Sequence, residues 1–158
     1  MTSPQQALAA AGVEFSVHSH AAVRSEADLH LTGLDQSTSV KTLAFELADG
    51  TLVLVGVPGP WRVKYGAIAQ ALGVSRAQLR PAAAERLAAL GMEPGGVSPV
   101  CDAGDVILVL DASVPAMGRV YCGGGSPEAT LEVAAADLLR MAARPVVAAV
   151  AEPPADAG

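Results

Sequence analysis

Two apolar runs, residues 40–47 and 51–57, meet at Asp49-Gly50. Both turn positions tolerate positive φ, and an Asp-Gly pair between alternating apolar segments is a strong short-range signal of a β-hairpin. The runs then pair antiparallel and need a partner layer to bury their apolar side chains. Two further strands are expected downstream, at 118–122 and 130–133, and one upstream at 13–18. Residues 105–110 form a near-continuous apolar run, the pattern of a central strand covered on both faces. Helices intervene without regular strand–helix alternation. Ser3-Pro4 opens the first, which Gly12 ends. A second starts after Ser25 and stops at Gly33. Others span 64–72 before Gly73, 81–90 before Gly91, and 135–142, with a helical turn at 75–79. This mixture predicts an α+β (α/β mixed) domain with a mixed sheet.

At 158 residues the chain has one domain's length. The reading assigns residues 1–150 to one domain and 151–158 to a flexible, Pro-rich tail. Hydrophobic residues make up 51 % but aromatics only 3 %, so Ala, Val and Leu must build the core. No apolar run approaches the roughly 20 residues that span a bilayer. The run at 146–151 has only a strand's length. No basic and apolar leader opens the chain, so a cytoplasmic protein without membrane contact is expected. The formal charge of −6 argues against a surface that grips nucleic acid everywhere, though it leaves room for a local basic mouth. Arg24, Lys41, Arg62 and Lys64 are the candidates for one.

The chain has only two lysines against eight arginines. Lys41 lies in Ser39-Val40-Lys41-Thr42-Leu43-Ala44-Phe45, where alternation puts it on one face with Leu43 and Phe45. A charged amine there is costly unless it meets a cleft or a partner. Alternatively, being near the strand's start, it reaches water along its stem. The loop Pro94-Gly95-Gly96-Val97-Ser98-Pro99 carries adjacent glycines that let backbone approach a ligand closely. It can aim N–H groups at a developing oxyanion, or be an ordinary tight connection. Gly123-Gly124-Gly125 lacks the endings of phosphate loops and alone indicates a turn. His18 and His20 share a strand face, one toward solvent and one toward a pocket, and His30 is expected at the surface. No third ligand of matching spacing suggests a metal, and Cys101 and Cys122 have no partner at zinc-ligand or nucleophile spacing. Hydrolysis here would have to rest on a positioned water and oxyanion stabilisation.

Together these segments resemble a known family. Ser-Val-Lys-Thr-Leu before the Asp-Gly hairpin is one mark. Gly-Met-Glu-Pro-Gly-Gly-Val-Ser-Pro is a second. Leu110-Asp111, the segment starting at Gly123-Gly124-Gly125-Ser126-Pro127, and Ala136-Asp137-Leu138 are the third. In this order they are similar to the YbaK family of prolyl-tRNA editing domains and free-standing aminoacyl-tRNA deacylases. The resemblance implies a curved mixed sheet flanked by helices, and trans-editing of a mischarged tRNA such as Cys- or Ala-tRNA(Pro). It implies Lys41 as the functional lysine and Gly95 and Gly96 as backbone donors near the carbonyl. His20, Thr42, Val97, Ser98, Pro99, Gly123, Gly124 and Gly125 would line the substrate pocket. No cofactor is implied. The partners would be the tRNA acceptor end and a docked synthetase such as a prolyl-tRNA synthetase, with the protein a monomer or weak dimer. Lys-Thr matches the cysteine-editing branch and His20-Ala21-Ala22-Val23 the alanine-editing branch. The alternative is a non-catalytic nucleotide or aminoacyl-tRNA binding module, or a regulator, that docks on a synthetase.

Overall fold

The Asp-Gly hairpin forms as expected. Strands β2 (Ser39–Glu46) and β3 (Leu52–Pro58) pair antiparallel from Val40↔Pro58 to Glu46↔Leu52. The structure, a computed structural model, describes residues 2–154. Around the hairpin run β1 (Phe15–Ser19), β6 (Ile107–Asp111), β7 (Arg119–Gly123), β8 (Ala129–Ala134) and β9 (Arg144–Ala148). They make one sheet in the order β1-β8-β7-β2-β3-β6-β9, and the two-residue strand β5 (Arg80–Pro81) also pairs with β2. The β3–β6, β6–β9 and β2–β7 ladders are parallel, whereas β1–β8 and β7–β8 are antiparallel. This is the mixed sheet of an α+β domain. As its apolar run required, β6 is central and buried along its whole length.

Side-chain parity divides the core in two. One face gathers Val40, Leu54, Leu108, Leu110, Val120, Leu131 and Val133. The helices α1 (Pro4–Ala10), α3 (Ala84–Ala88) and α4 (Ala135–Met141) cover it with Leu8, Leu87 and Leu138. The opposite face gathers Phe45, Val53, Val55, Val57, Ile107 and Val109, covered by Ile68 of α2 (Tyr65–Leu72). Each such fully buried aliphatic side chain contributes roughly 1.5–3 kcal/mol of transfer free energy. Ser3 caps α1 in a reciprocal box with Gln6, and Gly73 ends α2 in the left-handed conformation.

Three expectations need correction, and one strand was not expected. The helix expected over 81–90 is only Ala84–Ala88, because Arg80 and Pro81 are drawn into β5 beside Phe45 and Glu46. The helix after Ser25 is a 3-10 segment, Glu26–Thr32, closed by left-handed Gly33. Residues 144–148 form β9, hidden in the sequence by Pro145 and an alanine-rich context. The tail does not begin at 151, since Ala151–Glu152 is a strand, β10, paired with β4 (Arg62–Val63). The last four residues of the expected tail lie outside the described ones.

Asp111 anchors this end of the chain. Its carboxylate accepts the Val150 and Ala151 N–H groups, each at 2.9 Å, and the Ser113 hydroxyl at 2.5 Å. Burial pushes this carboxyl up, but the bonds from Ser113, Val150 and Ala151 outweigh it and hold it below the usual range. Among the described residues no helix is long and apolar enough to cross a membrane.

Candidate functional site

Strand β2 has two different neighbours along one edge. Its ladder with β7 covers only Ser39↔Tyr121 and Val40↔Cys122, and its ladder with β5 begins at Phe45↔Pro81. Between these points the strands part. A cleft of about 570 Å³ opens there, within the size range of small-ligand sites. Its walls include Lys41 and Thr42 from β2, Gly123 from the end of β7, and Thr130 from β8. Gly95 and Val97 enter from the glycine loop, His20 from just past β1, and Arg24 from just before the 3-10 segment Glu26–Thr32.

The glycine loop is fastened to the turn between β7 and β8. The Glu93 N–H donates to the Gly125 carbonyl at 2.7 Å, and the Gly125 N–H donates to the Gly96 carbonyl at 2.8 Å. The Gly96 N–H donates to the Glu93 carbonyl at 2.8 Å. Such close backbone-to-backbone packing excludes side chains. A Cβ on Gly123 would lie 2.1 Å from the Val97 carbonyl oxygen, and one on Gly96 would lie 2.5 Å from Ser126 backbone. Gly95 has φ +88°, a conformation that L side chains rarely adopt. The glycines therefore let the loop lie on the floor of the cleft.

The residues expected to form a site separate into two groups. Lys41, His20, Thr42, Gly95, Val97 and Gly123 line the cleft. Gly96, Ser98, Pro99, Gly124 and Gly125 are buried beneath or beside it. Ser98 points inward, where its hydroxyl accepts the Val100 N–H at 3.1 Å. Pro99 packs under β3, 3.8 Å from where a Cβ on Gly56 would sit.

Among the described lining residues the cations are Lys41 and Arg24, and none is a carboxylate. The four-cation mouth does not assemble. Arg62 and Lys64 both pair with Glu152, and the Arg62 hydrogen bond and charge hold that carboxyl below its usual range. The Thr42 hydroxyl oxygen is buried without a hydrogen-bond partner. Cys122 also reaches the cleft wall, but burial pushes its thiol up to about 12, which denies it a thiolate. Burial also raises the Cys101 thiol.

The two histidines part as expected, although both are on the same sheet face. The His18 Nε2 bonds the Glu132 carboxylate at 3.0 Å, and its ring meets Tyr121 edge-on at 5.7 Å. Arg119 donates to the other Glu132 oxygen at 3.1 Å. Hydrogen bonds from His18 and Arg119 hold the Glu132 carboxyl below its usual range. His20 instead contacts the Ala21 carbonyl and the Thr130 hydroxyl, each at 2.8 Å. Sequence reasoning missed Thr130 and Tyr121. Tyr121 carried a signal, being two residues before Gly123 on a strand and hence on its face. Thr130 carried none, because its place depends on the β7–β8 register.

A family model described as an aminoacyl-tRNA editing domain matches residues 20–141. The crystal structure of hypothetical protein APE2540 is similar at 30 % identity, with a TM-score of 0.75 over 94 % of this chain and 98 % of that one. A proposed trans-editing enzyme for prolyl tRNA synthetase is similar at 27 % identity, with a TM-score of 0.73 over 94 % of each chain. A scaffold protein from computational epitope backbone grafting gives 27 % identity and a TM-score of 0.77 over 96 % of each chain. No curated protein matches.

Proposed function

The chain belongs to the aminoacyl-tRNA editing domain family, which makes it an aminoacyl-tRNA deacylase, a hydrolase of ester bonds, and from that premise we propose that it removes a small amino acid from a mischarged tRNA at the Lys41 cleft. The candidate substrates are Cys- and Ala-tRNA(Pro). The observation that carries this reading is the glycine-loop backbone laid over Gly123 beside Lys41, in one cleft of ligand size. The similar trans-editing structure supports the choice of tRNA(Pro), and a synthetase would be the partner that supplies tRNA selectivity.

Attack on the ester carbonyl builds negative charge on its oxygen. Backbone N–H groups of the loop stabilise that charge, each worth about 10²–10³ in rate by analogy with a protease oxyanion donor. The Gly96 N–H is bonded to Glu93, so Gly96 shapes the loop and the Gly95 N–H is the donor offered to the substrate. Lys41 orients the substrate by charge through a phosphate or the ester. With the Cys122 thiol protonated, the nucleophile is water or, for a cysteinyl ester, the substrate's own thiol. Pocket size alone separates amino acids by only about 10–200-fold per methylene, so the selectivity expected is of that order.

The test loads tRNA(Pro) separately with Cys, Ala and Pro and follows deacylation. The protein should accelerate loss of Cys or Ala and spare Pro. Lys41→Ala should reduce that acceleration by about 10²-fold or more, the scale of one lost charge-stabilising donor. Loss of all three esters at the buffer rate would overturn the substrate reading. Full activity in Lys41→Ala would remove the lysine from the mechanism.

A further inference from the structure

His20 is the cleft residue whose hydrogen-bonding state can be deduced from its neighbours. Its Nδ1 lies 2.8 Å from the Ala21 carbonyl, and a carbonyl can only accept. Nδ1 therefore carries the ring proton, and in the neutral ring Nε2 is an acceptor. The group 2.8 Å from Nε2 is the Thr130 hydroxyl, which must then donate its hydrogen to His20. What Thr130 has left to offer the cleft is lone pairs.

The position of Thr130 gives that acceptor a purpose. Lys41 and Gly123 each lie two residues past the Ser39↔Tyr121 pair, just beyond the end of that ladder, and Gly123 pairs with Thr130. β7 separates β2 from β8 in the sheet, so Lys41 and Thr130 line the cleft from opposite sides of Gly123. Gly123, having no side chain, leaves the space between them to the Val97 backbone. An aminoacyl ester carries a positive α-ammonium group at one end. Among the described lining residues no carboxylate is there to receive it. A hydroxyl held as an acceptor on the far side from Lys41 fits it.

We propose that the Thr130 hydroxyl, aimed by His20, accepts a hydrogen bond from the substrate's α-ammonium group. His20 is then a positioning residue and Thr130 a substrate contact. This rests on the reading of the cleft as a deacylase site. Its test is made on binding, so that the two can fail separately.

The probes are 3′-alanylamino-3′-deoxyadenosine, which cannot be hydrolysed as an ester, and its N-acetyl derivative, measured by calorimetry. The free amine should bind roughly 10–150-fold tighter, the range of one hydrogen bond to a charged group. Thr130→Val should erase that preference and Thr130→Ser should keep it. His20→Phe should erase it, whereas His20→Gln, whose amide oxygen can replace Nε2 as acceptor, should restore most of it. A merely structural role would weaken both probes together and leave their ratio unchanged. Equal binding of the two probes to the wild type, no binding of either, or an unchanged ratio in Thr130→Val would overturn the proposal. So would a Thr130→Val variant that loses its sensitivity to removal of the ribose 2′-hydroxyl instead. Amine-selective binding without any ester hydrolysis would leave this contact standing and sink the catalytic reading.

Discussion

One face of the sheet has two halves that meet within β2. Past Leu43 it is a core: Phe45, Val53, Val55, Ile107 and Val109 lie under α2. Before Leu43 it carries Ser39 and Lys41, and it continues through Tyr121, Gly123 and Thr130 to His18 and Glu132. The two halves share a backbone and a pleat, and differ in what approaches them. A helix covers the first. A loop of backbone and two 3-10 segments, Glu26–Thr32 and Gln36–Thr38, border the second. Lys41 lies on the face that Leu43 and Phe45 make apolar, but its place falls where the β7 ladder ends and before β5 begins. The sheet therefore supplies rigidity from one half and chemistry from the other.

If that division is real, the largest effect on stability belongs to the covered half. Phe45 is 5 % exposed and meets Tyr65 edge-on at 6.0 Å. Phe45→Ala should cost about 3–5 kcal/mol in urea unfolding. The fraction still folded should deacylate at the wild-type rate. A variant of normal stability with reduced activity would erase the boundary between the halves. Gly123→Ala should come next and affect both properties. Its Cβ would press on the Val97 carbonyl, so overpacking of about 1–3 kcal/mol is expected together with a loss of deacylation as the loop lifts. Gly104→Ala is the control: a Cβ there meets nothing within 4 Å, and neither stability nor activity should change appreciably. Unaltered activity in Gly123→Ala would mean that the loop's seat on β7 does not set the catalytic geometry.

The covered half was the more legible one. Alternation in β2, the Asp-Gly turn and the continuous run of β6 are local signals, and each led to the element observed. Where local signals conflicted, tertiary pairing decided. Pro81 looked like a helix start but serves as an edge-strand residue beside Phe45. Residues 144–148 lacked a strong pattern, yet they pair with every residue of β6. In the open half, Lys41 and the double glycine could be singled out by residue type, since an amine on an apolar face and adjacent glycines both require a reason. Their division of labour could not be read in this way. Gly95 reaches the cleft and Gly96 does not, because Gly96 is bonded to Glu93 and Gly125 across the turn. Thr130 depends on register, and Arg62 and Lys64 depend on Glu152 in a strand that the sequence placed in the tail.

The smallest expected effect lies on the rim of the open half. Glu132 joins His18 and Arg119 across β1, β8 and β7, all in reach of water. Ion pairs in such places are screened and contribute little. Hydrogen bonds from His18 and Arg119 depress the Glu132 carboxyl, so its folded-state value lies below the unfolded one of about 4.3. The contribution is thus fully present above that unfolded value and is lost as pH falls through the lower, folded one. Glu132→Gln should accordingly lower Tm slightly at pH 7 and low salt. The gap to wild type should close as the pH is taken below 4, or as salt is raised. Because this network borders the cleft through Tyr121, the same variant also tests how far the site extends. Unchanged deacylation would end the functional half at Tyr121, and a large loss of activity would carry it on to β1.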